Sequence, residues 1–286
     1  MITGGLGAIG TEIANLLLTH YNARLLLIGR TELSKNPDKV NALNRLKKAG
    51  RGEVQYHAID ICDLAGLRII IKNAEKAWGE TLSGIIHLAG EANMDYHQDS
   101  LDAHHLVNEQ LAVYEKLFHA KVYGTFVLME LLKEYQDALL ISFSSVNSFF
   151  GGSGFGAYSS ANSFLDAVTH YYHNYKQQQA YCFNWSMWDG MGMSRGNVMK
   201  DAVLAKGFHS LSLQQGLKSF LVGMELGTVQ LIIGLDPDNR IIKSYMEEVP
   251  LPEQSLTIYY TLEETGKDEE LILSEINEVA RTYVRK

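Results

Sequence analysis

A phenol, an amide and a hydroxyl are spaced in this sequence so that they could reach one site. Tyr158 and Asn162 lie four residues apart in a helical pattern, on one face of the predicted helix. Ser145 stands thirteen residues before Tyr158, at the end of an apolar run that predicts a strand. A tyrosine can donate the proton that a ketone needs during reduction if a nearby cation stabilises the phenolate. No lysine follows Tyr158 at the i+4 position, so Lys121, on a separate predicted helix, is the candidate cation.

A glycine-rich segment at the start of the chain is suited to hold a dinucleotide. Residues 3–10 contain the pattern G-x-G-x-x-G, and a helical pattern follows over residues 11–20. Glycine lets the backbone approach a pyrophosphate, and the helix N-terminus offers N–H groups and the positive end of a dipole. An ordinary glycine turn is the alternative. The residues assigned to the cofactor here are Thr3, Gly5, Gly7, Ile9 and Gly10.

The pair Gly29 and Arg30, after the second predicted strand, bears on the choice of dinucleotide. Enzymes that use NAD usually have an acid here, which binds the ribose 2'-hydroxyl. The Arg30 guanidinium would instead bind a 2'-phosphate through two hydrogen bonds, and it therefore predicts NADPH. A surface arginine without a ligand is the alternative.

Two further strand ends are expected to line the cofactor site. Asp60 and Ile61 follow the third strand, where the Asp60 carboxylate would accept a hydrogen bond from the adenine amino group. Ala89 and Gly90 follow the fourth strand and would pack beside the adenosine ribose.

Strands that end at a common edge are needed to position these residues. Short apolar runs alternate with longer amphipathic segments, which predicts an α/β fold with a Rossmann-type, doubly wound parallel sheet. The predicted strands are Arg24–Ile28, Glu53–Ile59, Gly84–Leu88, Ala138–Ser142, Ala180–Trp185 and Gln230–Gly234. Only Met1 and Ile2 precede Thr3, so the first strand, at the sheet centre, is largely missing. We therefore expect the chain to be part of a longer polypeptide, with Met1 not a natural start.

Composition narrows the function class. A chain of 286 residues that is 46% hydrophobic can bury one large core, and we expect one main domain at residues 1–245. The net charge of -8 leaves no basic stripe for nucleic acid. Two cysteines, no secretion signal and no apolar stretch of ~20 residues predict a cytoplasmic protein without a membrane segment. The spacing of His97, His104 and His105 supplies no third ligand in a recognised metal-binding pattern, and we assign no metal.

The end of the chain differs in character from the rest. Residues 246–254 hold two of the four prolines and several acids, which predicts a linker. Residues 255–286 form a small C-terminal segment, with a strand pattern at 255–262 and a helical pattern at 269–285.

Taken together, the motifs resemble the ketoreductase (KR) domains of modular polyketide synthases and hybrid polyketide–nonribosomal peptide synthetases, which belong to the short-chain dehydrogenase/reductase superfamily. Most of that superfamily has lysine four residues after the tyrosine. This chain resembles the synthase KR domains in having asparagine there, so Tyr158 and Asn162 are the most specific match. Residues 184–193 resemble the family's loop over the nicotinamide, and the resemblance covers roughly residues 1–236.

The resemblance implies NADPH-dependent reduction of a beta-keto or alpha-keto acyl thioester. The substrate would be carried by phosphopantetheine on an acyl or peptidyl carrier protein, beside neighbouring synthase domains. Tyr158 would be the proton donor, Ser145 would bind the substrate carbonyl, and Lys121 would tune Tyr158 and hold the ribose. Asn162 would position the lysine or a water, and residues 188–208 would form a lid that orders when the cofactor binds.

Two departures from the family leave the product and the substrate open. Residues 91–94 lack the leucine and aspartates that mark one alcohol configuration, and Phe150 stands where the other class often has tryptophan. Such departures are also compatible with an alpha-keto substrate. The C-terminal segment resembles, more faintly, the start of the small lobe of an adenylation domain, and a linker with a docking helix is the alternative.

Two other functions stay open at this point. A free-standing short-chain reductase of a small soluble ketone is opposed by Asn162 and by the short first strand. A non-catalytic KR-like scaffold that binds NADPH weakly is opposed by the four intact catalytic positions.

Overall fold

The computed structural model describes residues 1–91, 104–192 and 200–246. The chain divides into two units, Met1–Met246 and Glu247–Lys286. Several sequence predictions lie outside the described residues: the linker beyond Met246, the C-terminal strand and helix, His97, the configuration marker at residues 92–94 and the middle of the expected lid at residues 193–199. The domain boundary at residue 245 stays a prediction.

Parallel strands form the central sheet. The strands are β1 (Ile2–Thr3), β2 (Arg24–Gly29), β3 (Glu53–Ala58), β4 (Gly84–His87), β5 (Leu139–Ser145), β6 (Ala180–Trp185), β7 (Met187–Trp188), β8 (Ser210–Leu211) and β9 (Gln230–Ile233). Seven of them form one sheet in the order β3-β2-β1-β4-β5-β6-β9, and β7 and β8 pair separately. All six pairings in the large sheet are parallel. The strand order reverses between β1 and β4, which confirms the predicted Rossmann-type fold and places a crevice at the carboxyl ends of these strands.

The first strand is as short as the sequence predicted, yet it occupies the centre of the sheet. Ile2 pairs with Leu27 of β2 on one side and with Ile86 of β4 on the other. Both residues of β1 are buried. Two residues are enough to join the two halves of the sheet because each of them is paired on both sides.

The fifth strand differs most from its predicted bounds. The sequence predicted a strand over Ala138–Ser142, but β5 runs from Leu139 to Ser145. Ser144 and Ser145 pair with Asn184 and Trp185 of β6, so the sheet itself extends the strand. Ser145 is thereby the last residue of β5 and also the N-cap of the following helix.

Helices cover both faces of the sheet. They are α1 (Ala8–Tyr21), α2 (Pro37–Lys47), α3 (Leu64–Trp78), α4 (Leu111–Phe118), α5 (Gly124–Leu132), α6 (Val146–Phe150), α7 (Gly156–Tyr175), α8 (Lys200–Ala205), α9 (Leu213–Leu226) and α10 (Arg240–Met246). Lys121 lies in a single π-helical turn, His119–Tyr123, between α4 and α5 rather than in a regular helix. Such wider turns are frequent at functional sites.

Alternation along the strands divides the core into two layers. Leu25 and Leu27 of β2 pack in the layer with α1 and α9, whereas Leu26 and Ile28 pack in the layer with α3 and α5. Full burial of each such side chain stabilises the fold by about 1.5–3 kcal/mol. Apolar side chains of the helices therefore pack on both faces of the sheet. In the described part of the chain, no helix combines the length and the apolar character needed to cross a membrane.

Candidate active site

A cleft with a volume of about 480 Å³ lies at the carboxyl ends of β1, β2, β4 and β5. Most of the site residues predicted from sequence line it: Thr3, Gly7, Ile9, Gly10, Gly29, Arg30, Ile61, Ala89, Gly90, Lys121, Ser145 and Tyr158. Gly5, Asp60 and Asn162 stand behind this lining. A Cβ on Gly5 would lie 2.9 Å from the Leu27 side chain, so this glycine permits packing of the turn on β2 rather than contact with the cleft.

The glycine turn forms a tight cradle at the start of α1. Gly4 has φ of +68°, and a Cβ there would lie 3.1 Å from the backbone nitrogen of Ala89. A Cβ on Gly10 would overlap the Gly4 carbonyl oxygen. Helix α1 begins at Ala8 with Gly7 as its N-cap, and no side chain of the described residues caps it. The arrangement fits a pyrophosphate, because helix N-termini without side-chain caps bind anions and any larger side chain would fill the turn.

Thr3 joins the turn to the end of β4. Its Oγ1 lies 2.7 Å from His87 Nδ1 and accepts a hydrogen bond from the Ala89 N–H at 3.2 Å. Burial, followed by the charge of Lys121, lowers the pKa of His87 to about 3, so this histidine is neutral. Thr3 thus fixes Ala89 and Gly90 beside the glycine turn.

Asp60 stands next to the cleft with its carboxylate already hydrogen-bonded. It accepts from the Cys62 N–H at 2.8 Å, and its oxygens lie 3.0 and 2.9 Å from His119 Nε2. Burial acts to raise the pKa of Asp60, but these hydrogen bonds hold it below its usual value. Asp60, Cys62 and His119 also form the one group of three side chains with metal-ligand chemistry among the described residues. The sequence did not indicate the pairing, because His119 is distant along the chain.

The catalytic end of the cleft brings together Ser145, Tyr158 and Lys121 from three different elements. Ser145 ends β5, where its Oγ accepts a hydrogen bond from the Asn147 N–H at 3.2 Å. Tyr158 is in the first turn of α7, and Asn162 follows one turn later. The Asn162 amide donates to the Tyr158 carbonyl oxygen at 2.8 Å, and its buried Oδ1 has no partner among the described residues.

Burial shifts the pKa values of the two ionisable groups at this end in opposite directions, and both values stay above 7. Burial raises the pKa of Tyr158, while hydrogen bonds to Ser145 and Asn162 act in the opposite direction. Burial lowers the pKa of Lys121 to about 8, with Cys182 and Asp166 acting to raise it. Lys121 is only 5% exposed, and its Nζ donates to the Phe143 carbonyl oxygen at 2.9 Å. The site therefore offers a neutral phenol as a proton donor and an ammonium as a cation.

A polar network behind Ser145 was missed by the sequence reasoning. The Asp166 carboxylate accepts hydrogen bonds from Ser148 Oγ at 2.6 Å, Asn184 Nδ2 at 2.8 Å and Gln230 Nε2 at 3.1 Å. Ser148 Oγ also hydrogen-bonds the Ser145 carbonyl oxygen at 2.7 Å. The network therefore links α7, β6 and β9 to the backbone of Ser145. Asp166 lies on the α7 face of Tyr158 and Asn162, and this spacing is the signal that could have found it.

Comparison with protein families decides the class to which this arrangement belongs. A family model described as the KR domain matches residues 1–190. The chain belongs to the KR-domain family. KR domains are oxidoreductases, which confirms the family and enzyme class expected from the sequence.

Relatives of this KR domain are large synthases. It is 26% identical over 277 residues to polyketide synthase PksM of Bacillus subtilis (strain 168), a match that covers 96% of this chain and 6% of that protein. It is 25% identical over 240 residues to erythronolide synthase EryA3 of Saccharopolyspora erythraea, covering 84% of this chain and 7% of that protein. The chain spans a small part of the length of the curated relatives that it matches.

Solved structures show the same fold. One is described as the adenylation, ketoreductase and pseudo Asub multidomain structure of a keto acid-selecting NRPS module. It is 33% identical with a TM-score of 0.75, and the match covers 85% of this chain and 20% of that one. A ketoreductase domain from the bacillaene assembly line is 26% identical with a TM-score of 0.73, covering 86% of this chain and 57% of that one.

Proposed function

We propose that this KR domain reduces a ketone, in an acyl group held as a thioester on a carrier protein, to the corresponding alcohol, with NADPH as the cofactor. The observation that carries the proposal is that Tyr158, Ser145 and Lys121 line the same cleft as Arg30 and the glycine turn. That turn fits the pyrophosphate that joins the two halves of a dinucleotide.

Each residue has a defined part in this reaction. Bound NADPH would supply the hydride that forms the new C–H bond at the ketone carbon. The Ser145 hydroxyl and the Tyr158 phenol donate hydrogen bonds to the ketone oxygen, and the Tyr158 proton passes to that oxygen as the alcohol forms. The Lys121 ammonium stabilises the phenolate until a proton from solvent restores it. Asn162 Oδ1, which has no hydrogen-bond partner among the described residues, is available to accept a hydrogen bond from Lys121 or from a water.

The carrier-bound substrate distinguishes this proposal from reduction of a free ketone. The two relatives named above are synthases, and one similar structure belongs to a module described as keto acid-selecting. For this reason we favour a keto acid, activated and loaded as a thioester, over a beta-keto group made by condensation. Neighbouring synthase domains would then lie on the same polypeptide as this KR domain and residues 247–286. The protein would act in the cytoplasm.

NADPH oxidation in the presence of matched alpha-keto and beta-keto acyl thioesters tests the proposal, with the unmodified chain compared with Tyr158→Phe. We expect faster turnover with the alpha-keto thioester, and a loss of about a thousandfold in the variant, because general acid catalysis contributes about 10²–10⁴-fold. NADPH binding should be retained by the variant. Binding of NADPH without turnover in the unmodified chain would favour the scaffold function, and equal turnover of the free keto acid would favour a free-standing reductase.

A further inference from the structure

Two cationic side chains flank Thr31 in the lining of the cleft, at the end where the adenosine would bind. Arg30 follows β2, and Lys39 is in the first turn of α2, where its N–H donates to the N-cap side chain of Asn36 at 3.1 Å. Both line the cleft. Partial burial and the neighbouring charge of Arg30 lower the pKa of Lys39. Two like charges held this close destabilise each other unless an anion lies between them.

The backbone beside these cations is held firmly in place. Lys39 Nζ donates to Thr31 Oγ1 at 2.7 Å, and Tyr56 Oη donates to the Thr31 carbonyl oxygen at 2.6 Å. Tyr56 also lies against Gly29, where a Cβ would meet its hydroxyl oxygen at 3.1 Å. The turn from Gly29 to Thr31 is thus fixed from two sides, and an ammonium and a hydroxyl are presented together.

The two cations differ in their acidic partners. Arg30 forms an ion pair with Glu91, which lies beyond β4 across the cleft, and Lys116 Nζ lies 3.9 Å from the other Glu91 oxygen. For Lys39, no carboxylate of the described residues lies within ion-pair distance, although Lys35 next to it pairs with Glu32. Of these two cations, Arg30 therefore has an internal anion, and Lys39 has none among the described residues.

We propose that Lys39 and Arg30 together bind the 2'-phosphate of NADPH, and that Glu91 is an internal anion which that phosphate displaces from Arg30. The inference rests on the proposed NADPH dependence and adds the residues that set it. A phosphate monoester carries a charge of about -1.5 to -2 at neutral pH, which matches two cations better than one. The 2'-hydroxyl of NADH carries no charge, so it gains nothing from Lys39 and cannot displace Glu91.

Equilibrium binding of NADPH and NADH, measured by calorimetry without substrate, tests the role of Lys39. In Lys39→Met, NADPH should bind about tenfold more weakly while NADH binding is unchanged, because a hydrogen bond to a charged group is lost. The matched control is Lys35→Met, which removes an exposed lysine a few residues away and should leave both affinities as they were. Equal NADPH affinity in Lys39→Met and the unmodified chain would overturn the role of Lys39.

The same titration tests the role of Glu91. In Glu91→Gln, NADPH should bind severalfold more tightly, since the phosphate no longer competes with a carboxylate for Arg30. Glu115→Gln, on the exposed surface of α4, is the control and should bind NADPH as the unmodified chain does. Weaker or unchanged NADPH binding in Glu91→Gln would overturn the displacement of Glu91.

The affinities for NADPH and NADH distinguish a wrong cofactor from a wrong role for Lys39. If the unmodified chain binds NADPH no more tightly than NADH, the NADPH dependence fails, and the inference with it. If NADPH is preferred but Lys39→Met retains that preference, the cofactor proposal stands and the inference fails. Thermal unfolding of each variant shows whether a lost affinity reflects a lost fold.

Discussion

At the catalytic end of the cleft, the polar groups are buried and mostly hydrogen-bonded, whereas at the adenosine end Arg30 lies at the rim in an ion pair with Glu91. Lys121 and Asn162 are almost fully buried. The Arg30 side chain is 56% exposed, and that of its partner Glu91 is 25% exposed. Ion pairs near solvent contribute little stability and are screened by salt, while buried charges shift pKa values and cost several kcal/mol unless they are paired. The packing of the fold therefore fixes the positions of the catalytic groups, whereas the exposed charged groups at the adenosine end can change partners when a ligand binds.

After Tyr158→Phe, Lys121→Met is the change expected to have the largest effect. Turnover should fall at least a hundredfold, because the phenolate of Tyr158 loses its cation. At pH 7 the free energy of unfolding should rise by about 1 kcal/mol, since a buried charge is replaced by an apolar side chain of similar volume.

The pH dependence of stability checks the same variant. The folded-state pKa of Lys121 is about 8, below its ordinary value of 10.5, so between these pH values the unfolded chain binds more protons. The free energy of unfolding of the unmodified chain should therefore rise with pH across this window, and Lys121→Met should lack that rise. Denaturant titrations at about pH 7 and about pH 10 measure it. Lys133→Met, an exposed control, should behave as the unmodified chain, and a variant with full turnover would contradict the role of Lys121.

Asp166→Asn tests whether the network behind Ser145 supports the catalytic groups. The carboxylate accepts from three side chains through Oδ2 and from the Cys182 thiol through Oδ1. An amide in its place would turn a donor toward one of these two sets and leave at least one donor unpaired, at a cost of about 1–3 kcal/mol in the free energy of unfolding. Loss of the Asp166 charge should also lower the pKa of Lys121 further and move the high-pH limb of the turnover profile to lower pH. Asp137→Asn, at an exposed position, is the control. A destabilised variant with an unchanged pH profile would show that Asp166 is only structural.

The smallest expected effect is a difference in salt dependence between NADPH binding and turnover. Raising the ionic strength from about 0.05 M to about 0.5 M should weaken NADPH binding severalfold, because the cations at the rim are partly exposed. The turnover of saturated enzyme should change less than twofold, because the catalytic groups are buried. Titrations of affinity and turnover over the same salt series measure both quantities. A turnover that falls in parallel with NADPH affinity would remove the distinction between the ends.

Much of the site was predictable because the motifs are local. The spacing of Tyr158 and Asn162 on one helix, the glycine turn and the arginine after β2 are each encoded within a few residues. What was missed was not local. Lys39 lies on a helix after β2, and its Nζ is placed at the cleft by the hydrogen bond to Thr31. The Asp60–His119 and Arg30–Glu91 pairs join residues about 60 positions apart. Long-range pairs of this kind leave no periodic signal in a single sequence.

The sequence by itself predicted the fold class and the four proposed catalytic residues. Tyr158 and Asn162 follow from residue type and short spacing, whereas Lys121 was chosen because no lysine follows Tyr158 at the i+4 position. Only the tertiary structure decided how far β5 extends, that Lys121 lies in a π-helical turn and which acids accompany the cations. The reason is physical: sheet pairing, burial and electrostatic balance depend on neighbours that come together only when distant segments pack.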